Sequence, residues 1–98
     1  MINQELTIVA RILAKAEKRE FVKKELIKLI APTRQEEGCI NYDLHQDLKN
    51  PNLFLFYENW KSRALWQAHM VNSHLVAFSE ATEHAIEEVV LNEMKAIG

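Results

Sequence analysis

The 98-residue chain predicts a small α+β domain whose elements run strand, helix, strand, strand, helix, strand. Three observations predict it. Apolar residues alternate at period two over 6–14, 39–47 and 53–60, and recur at helical spacing over 18–34 and again after 62. Two Gly and two Pro are too few turn-formers for a many-stranded sandwich. With 48% hydrophobic and 27% charged residues, the composition is that of one globular domain, 1–98.

The first strand, Leu6 to Ala14 (LTIVARILA), sets Leu6, Ile8, Ala10 and Ile12 on one parity and Thr7, Val9, Arg11 and Leu13 on the other. Both faces are largely apolar, as in a strand covered on two sides. From about Lys18 to Arg34, Phe21, Val22, Leu26, Leu29 and Ile30 form one apolar stripe of an amphipathic helix. Pro32 and Gly38 mark its exit and turn. Cys39 to Asp47 alternates again, with Ile40, Tyr42 and Leu44 on the apolar parity. Lys49-Asn50-Pro51-Asn52 is a turn cluster, so the strand from Leu53 to Trp60 should pair back as a hairpin.

Ser62 suits the N-cap of a helix carrying Leu65, Trp66 and His69. A break at Val71-Asn72-Ser73 separates it from a further helical piece, capped by Ser73, with Leu75, Phe78 and Ala81 inward. Ile86 to Met94 reads as a last strand, with helix as the alternative. The order is the split βαβ, or ferredoxin-like, arrangement: an antiparallel four-stranded sheet with helices on one face. The apolar second face then predicts a dimer in which two sheets bury one another.

Charge and composition exclude several functions. A net charge of −2 leaves no basic field to attract nucleic acid. No apolar run approaches the ~20 residues of a membrane span, and the N-terminus has no signal-peptide pattern. The single Cys39 has no internal disulfide partner and fits a reducing cytoplasm. No Gly-rich phosphate loop, serine-nucleophile motif, or flavin or nicotinamide fingerprint occurs, so no organic cofactor is expected.

The chemistry-bearing stretch is Phe54 to His74. Glu58 stands among apolar strand residues, where burial would raise its pKa and make it an acid or base near neutral pH. A structural reading gives it Arg11 or a backbone amide as partner. His69 and His74, five apart across the helix break, are placed to converge on one pocket. As zinc ligands they are weak, because no third ligand stands at a typical spacing, and no metal is expected. Trp60 and Trp66 are core residues or a flat wall for a planar ligand. Cys39 shows no sign of activation.

Three motifs, E-G-C-I-N-Y-D-L-H (37–45), N-P-N-L-F-L-F-Y-E-N-W (50–60) and H-M-V-N-S-H-L-V-A-F (69–78), resemble the antibiotic biosynthesis monooxygenase family. The resemblance implies a dimeric α+β barrel of two ferredoxin-like protomers. It also implies a monooxygenase acting on a small aromatic or quinol-type molecule with dioxygen and no metal or flavin. The haem-degrading branch fits less well, because the first strand lacks an Asn and His69 stands where that branch has a Trp. In the monooxygenase reading His69 is the expected base, with Glu58 orienting it or accepting a hydrogen bond. Trp60, Phe56 and Tyr57 are expected to shape the pocket, and Asn59 or His74 to hold a substrate oxygen. The rivals are an isomerase of a small phosphorylated carbonyl compound, using Arg11, Lys61 or Arg63 for phosphate, and a non-catalytic dimeric binding module.

Overall fold

The computed structural model describes residues 5–98 and contains the expected order of elements. Strands β1 (Leu6–Ala14), β2 (Cys39–Gln46), β3 (Leu53–Trp60) and β4 (Ile86–Met94) form one antiparallel sheet in the order β2-β3-β1-β4. Helices α1 (Arg19–Lys28), α2 (Ile30–Arg34), α3 (Arg63–Met70) and α4 (Ser73–Thr82) connect them. The architecture is α+β and ferredoxin-like, as the alternation of periods predicts, and the last element is strand.

Register decides which residues face the helices. Ile8 opposes Glu58, Ala10 opposes Phe56 and Ile12 opposes Phe54, and all six are buried. Directly opposed residues share a face, so these pairs form the floor under the helices. Val22, Leu26 and Leu29 close over them, one helical turn apart. The opposite face carries Val9, Leu13, Leu53, Leu55 and Val90, all half-buried, and Tyr57, 44% exposed.

Three local details differ from the sequence expectation, each for a physical reason. The first long helix divides at Leu29, because Pro32 has no N–H for the carbonyl four residues back and its ring crowds that position. A bulge between Cys39 and Asn41 adds a residue to β2, so Cys39 turns in against the core and Ile40 turns out, 47% exposed. Asn72, not Ser73, caps α4, its side chain accepting from the Ser73 N–H at 2.7 Å. Along that helix the inward positions are Leu75, Phe78 and Thr82; Ala81 is exposed. Ser62 caps α3 as expected, accepting from the Leu65 N–H at 3.2 Å.

Gly38 joins α2 to β2 at φ +88°, a left-handed conformation that L side chains rarely adopt. A Cβ built there would lie 2.5 Å from Leu65 Cδ1 and 2.7 Å from Leu65 Cβ. The turn thus depends on glycine for both backbone angle and space. Gly38→Ala is expected to lower stability by about 2–4 kcal/mol, from left-handed strain plus overpacking. Urea denaturation would show this as a lower midpoint with an unchanged slope.

Candidate active site

Under α3 and α4 the helix-covered face of the sheet borders an open-sided cavity of about 120 Å³. Its walls are mostly apolar, with Ala10 and Phe56 below and Trp66, Met70, Leu75 and Phe78 above. Among the described residues the lining includes no Lys or Arg; its titratable groups are Glu58, His69 and Tyr42.

Glu58 is 3% exposed on the central strand β3, flanked across the sheet by Ile8 and Tyr42. Its hydrogen-bond partner is Trp60, whose indole Nε1–H donates to Oε1 at 2.9 Å. Residues two apart on a strand share a face, which brings the two together. A fully buried indole N–H needs an acceptor, and Glu58 supplies it. Burial pushes the Glu58 carboxyl up to about 7, the Trp60 bond opposes this, and the Glu36 charge adds to the rise. Arg11 is no partner, because it lies on the opposite parity of β1 and is exposed.

His69 is 1% exposed in the last turn of α3, its ring tilted against Trp60 (centroids 4.6 Å) and edge-on to Tyr42 (5.4 Å). The orienting group is Glu36, in the turn before β2. Glu36 Oε2 lies 2.7 Å from His69 Nδ1. The same oxygen lies 2.8 Å from His74 Nε2, which is also 3.1 Å from Thr33 Oγ1. Burial holds the His69 imidazole below its ordinary pKa, the Glu36 hydrogen bond and charge oppose the shift, and His74 adds to it. A neutral imidazole donating Nδ1–H to a carboxylate keeps its Nε2 lone pair free. That nitrogen has no protein hydrogen bond among the described residues, and His69 lines the cavity.

The helix break makes the convergence of His69 and His74 possible. On a continuous helix, residues five apart would point about 140° away from one another. With the chain turned at Val71 and Asn72, their ring centroids are 6.1 Å apart. Sequence reasoning missed Glu36, which reads as part of a solvated Glu-Glu turn, because its partners lie 33 and 38 residues away.

The remaining expected site residues divide. Phe56 lines the cavity, stacked on Tyr42 with centroids 4.2 Å apart. Trp60 is fully buried beneath it and supports His69 and Glu58 without forming a wall, whereas Trp66 does form one. Tyr57 and Asn59 lie on the opposite face of β3, because alternation carries them away from Phe56 and Glu58. Asn59 is engaged there by Thr7 Oγ1 at 2.6 Å and Asn41 at 2.9 Å. His74 stands behind Glu36 and does not line the cavity. Glu58 does not orient His69; Glu36 does. Burial pushes the Cys39 thiol up to about 11, with Glu58 and Glu36 adding to the shift, so it is not activated. Of the cations considered for phosphate, Arg11 and Lys61 are exposed away from the cavity, and Arg63 is engaged by Glu93 at 2.6 Å.

Residues 6–81 match the family described as "Antibiotic biosynthesis monooxygenase". A Bacillus subtilis protein named "Putative monooxygenase YcnE" is 34% identical over 73 residues, covering 74% of this chain and 77% of that one. The Escherichia coli protein named "Probable quinol monooxygenase YgiN" is 28% identical over 94 residues, covering 86% of this chain and 90% of that one. An uncharacterized Synechocystis protein is 32% identical over 75 residues, but the chain spans only about half (51%) of its length. The crystal structure of PA3566 from Pseudomonas aeruginosa superposes with a TM-score of 0.94 at 33% identity, covering 100% of this chain and 99% of that one.

The Glu58 carboxyl links stability to pH. Its value rises from 4.5 to about 7 on folding, so below 4.5 it is neutral in both states and burying it carries no charge penalty. As pH rises through 7 the folded state must hold a buried carboxylate, and that stability is lost, by about 3 kcal/mol in all. Glu58→Gln, which still accepts from Trp60, is expected to flatten the decline between pH 4.5 and 8. Thermal melts of both proteins across that range would show it.

Proposed function

Because the chain belongs to the antibiotic biosynthesis monooxygenase family, we propose that it oxidises a small, uncharged phenol or quinol with dioxygen. No metal or flavin takes part. The observation that carries this reading is the Glu36–His69 hydrogen bond at the wall of an apolar cavity. It presents one unprotonated ring nitrogen to a space from which charged substrates are discouraged.

In the proposed mechanism His69 Nε2 takes the phenolic proton, and Glu36 stabilises the imidazolium that forms. The electron-rich anion then passes one electron to dioxygen inside the apolar space, where water is scarce. The two radicals combine at a ring carbon, and the hydroperoxide loses water to give the oxidised ring. One oxygen atom ends in the product and the other in water, so a quinol and dioxygen give a hydroxyquinone and water. Glu58, poised near 7 on the same wall, exchanges a proton with the peroxide or ring oxygen.

Cavity size supports a substrate class. An apolar cavity of roughly 150 Å³ holds benzene. At about 120 Å³ this one is smaller but open-sided, so it holds at most a single ring, whose substituents would extend past the exposed Val89 and Leu91 on the edge strand. A phosphorylated isomerase substrate finds no cation in the lining among the described residues.

The proposed assembly is a homodimer closed by the open sheet faces. Val9, Leu13, Leu53, Leu55 and Tyr57 form an apolar patch that a second copy would cover with the same residues, as a two-fold interface requires. Leu55→Glu is then expected to shift the protein from dimer to monomer in sedimentation equilibrium; an unchanged monomer in both proteins would remove the dimer.

Dioxygen consumption by metal-stripped protein with single-ring hydroquinones tests the activity. Uptake above autoxidation is expected, falling about 10²–10⁴-fold in His69→Ala, the range for loss of a general base. Glu36→Gln is expected to lower it by less. Equal uptake in wild type and His69→Ala would sink the proposal.

A further inference from the structure

Glu36, His69 and His74 offer more than a hydrogen-bonded base. One carboxylate oxygen and two ring nitrogens, from the turn before β2, the end of α3 and the start of α4, all lie within 4.8 Å of one another. The sequence shows two histidines without a third ligand; the fold supplies it from 33 residues away. We propose that these three side chains bind one borderline divalent transition-metal ion of the zinc class, in competition with the protons they now share.

The donor set selects the ion. Two imidazoles and one carboxylate suit Zn²⁺ or Co²⁺, not the oxygen-seeking Mg²⁺ or Ca²⁺. Zinc bonds of about 2.0–2.2 Å in a tetrahedron separate ligand atoms by roughly 3.3 Å. The two nitrogen–oxygen contacts of 2.7 and 2.8 Å would therefore open by about half an ångström on binding. Thr33 Oγ1, 3.1 Å from His74 Nε2, or a water occupies the fourth position.

Charge and access also favour it. The cluster sets one carboxylate between two imidazoles in a largely buried setting, where a divalent ion is attracted strongly. Entry is from the surface, through the His74 side chain, 20% exposed. On binding, each imidazole moves its proton from the ligating nitrogen to the other one, with no change in proton count or oxidation state. The His69 proton then sits on Nε2. In the oxidation proposed above, and only if that reading holds, the ion is an inhibitor, because His69 Nε2 then carries a proton and cannot take the substrate's.

The test does not need activity. Zn²⁺ added to the metal-free full chain is expected to shift the imidazole ring resonances of His69 and His74 together, at one ion per chain, leaving His45 and His84 in place. Co²⁺ is expected to give a tetrahedral visible absorption band that Glu36→Gln and His74→Gln each abolish. The wild-type spectra stand alone should either variant misfold. Shifts confined to His45 or to His84, which lies exposed beside Glu83, would overturn the proposal. So would a cobalt band that survives both substitutions, or no binding at millimolar ion.

Discussion

One carboxylate oxygen organises this protein. Glu36 Oε2 contacts His69 and His74 at 2.7 and 2.8 Å, and so ties the turn before β2 to the ends of two helices. Each segment carries a local device that makes the meeting possible. Gly38 turns the chain two residues after Glu36, Pro32 shortens the helix before it, and the Asn72 cap restarts α4 at a new angle. A carboxylate so enclosed is costly unless its lone pairs are used, and two imidazole donors use them. The same contact fixes the tautomer of His69, so packing and chemistry rest on one bond.

Glu58 follows a different logic on the same wall. It is buried because β3 is central and its parity is committed to the core, and it is retained there by the indole N–H of Trp60. The carboxyl sits where its charge is unwelcome and its neutral form is tolerated, which is what raises it to about 7. Two acid–base groups thus reach one cavity by opposite routes. Burial raises the carboxyl, whereas for His69 burial lowers the imidazole and a neighbouring carboxylate opposes it.

What the sequence disclosed followed what is periodic. Alternation over 6–14 and 53–60 marked both the strands and their buried parity, so Glu58 was legible as a residue needing explanation. The same alternation sets Tyr57 and Asn59 on the far face; grouping them with the site was the error of reading a motif as a cluster. The bulge at Ile40 left no compositional trace, because one extra residue changes no pattern until partners are known. Glu36 was illegible for a related reason. Its partners lie 33 and 38 residues away, and nothing local separates a carboxylate with a buried task from one that faces water.

The floor of the cavity has a consequence for the space above it. Ala10 lies on an inner strand between Phe56 and Leu91, the smallest side chain in a row of large ones. Most of the cavity's boundary is fixed by residues that also hold the sheet and helices together, and changing them would cost the fold. Ala10 is also buried, but it is the small residue in that row. Added methyl groups there would subtract volume from the cavity while the strand, its register and the acid–base pair stayed in place. The volume of this cavity is therefore set in large part by one alanine.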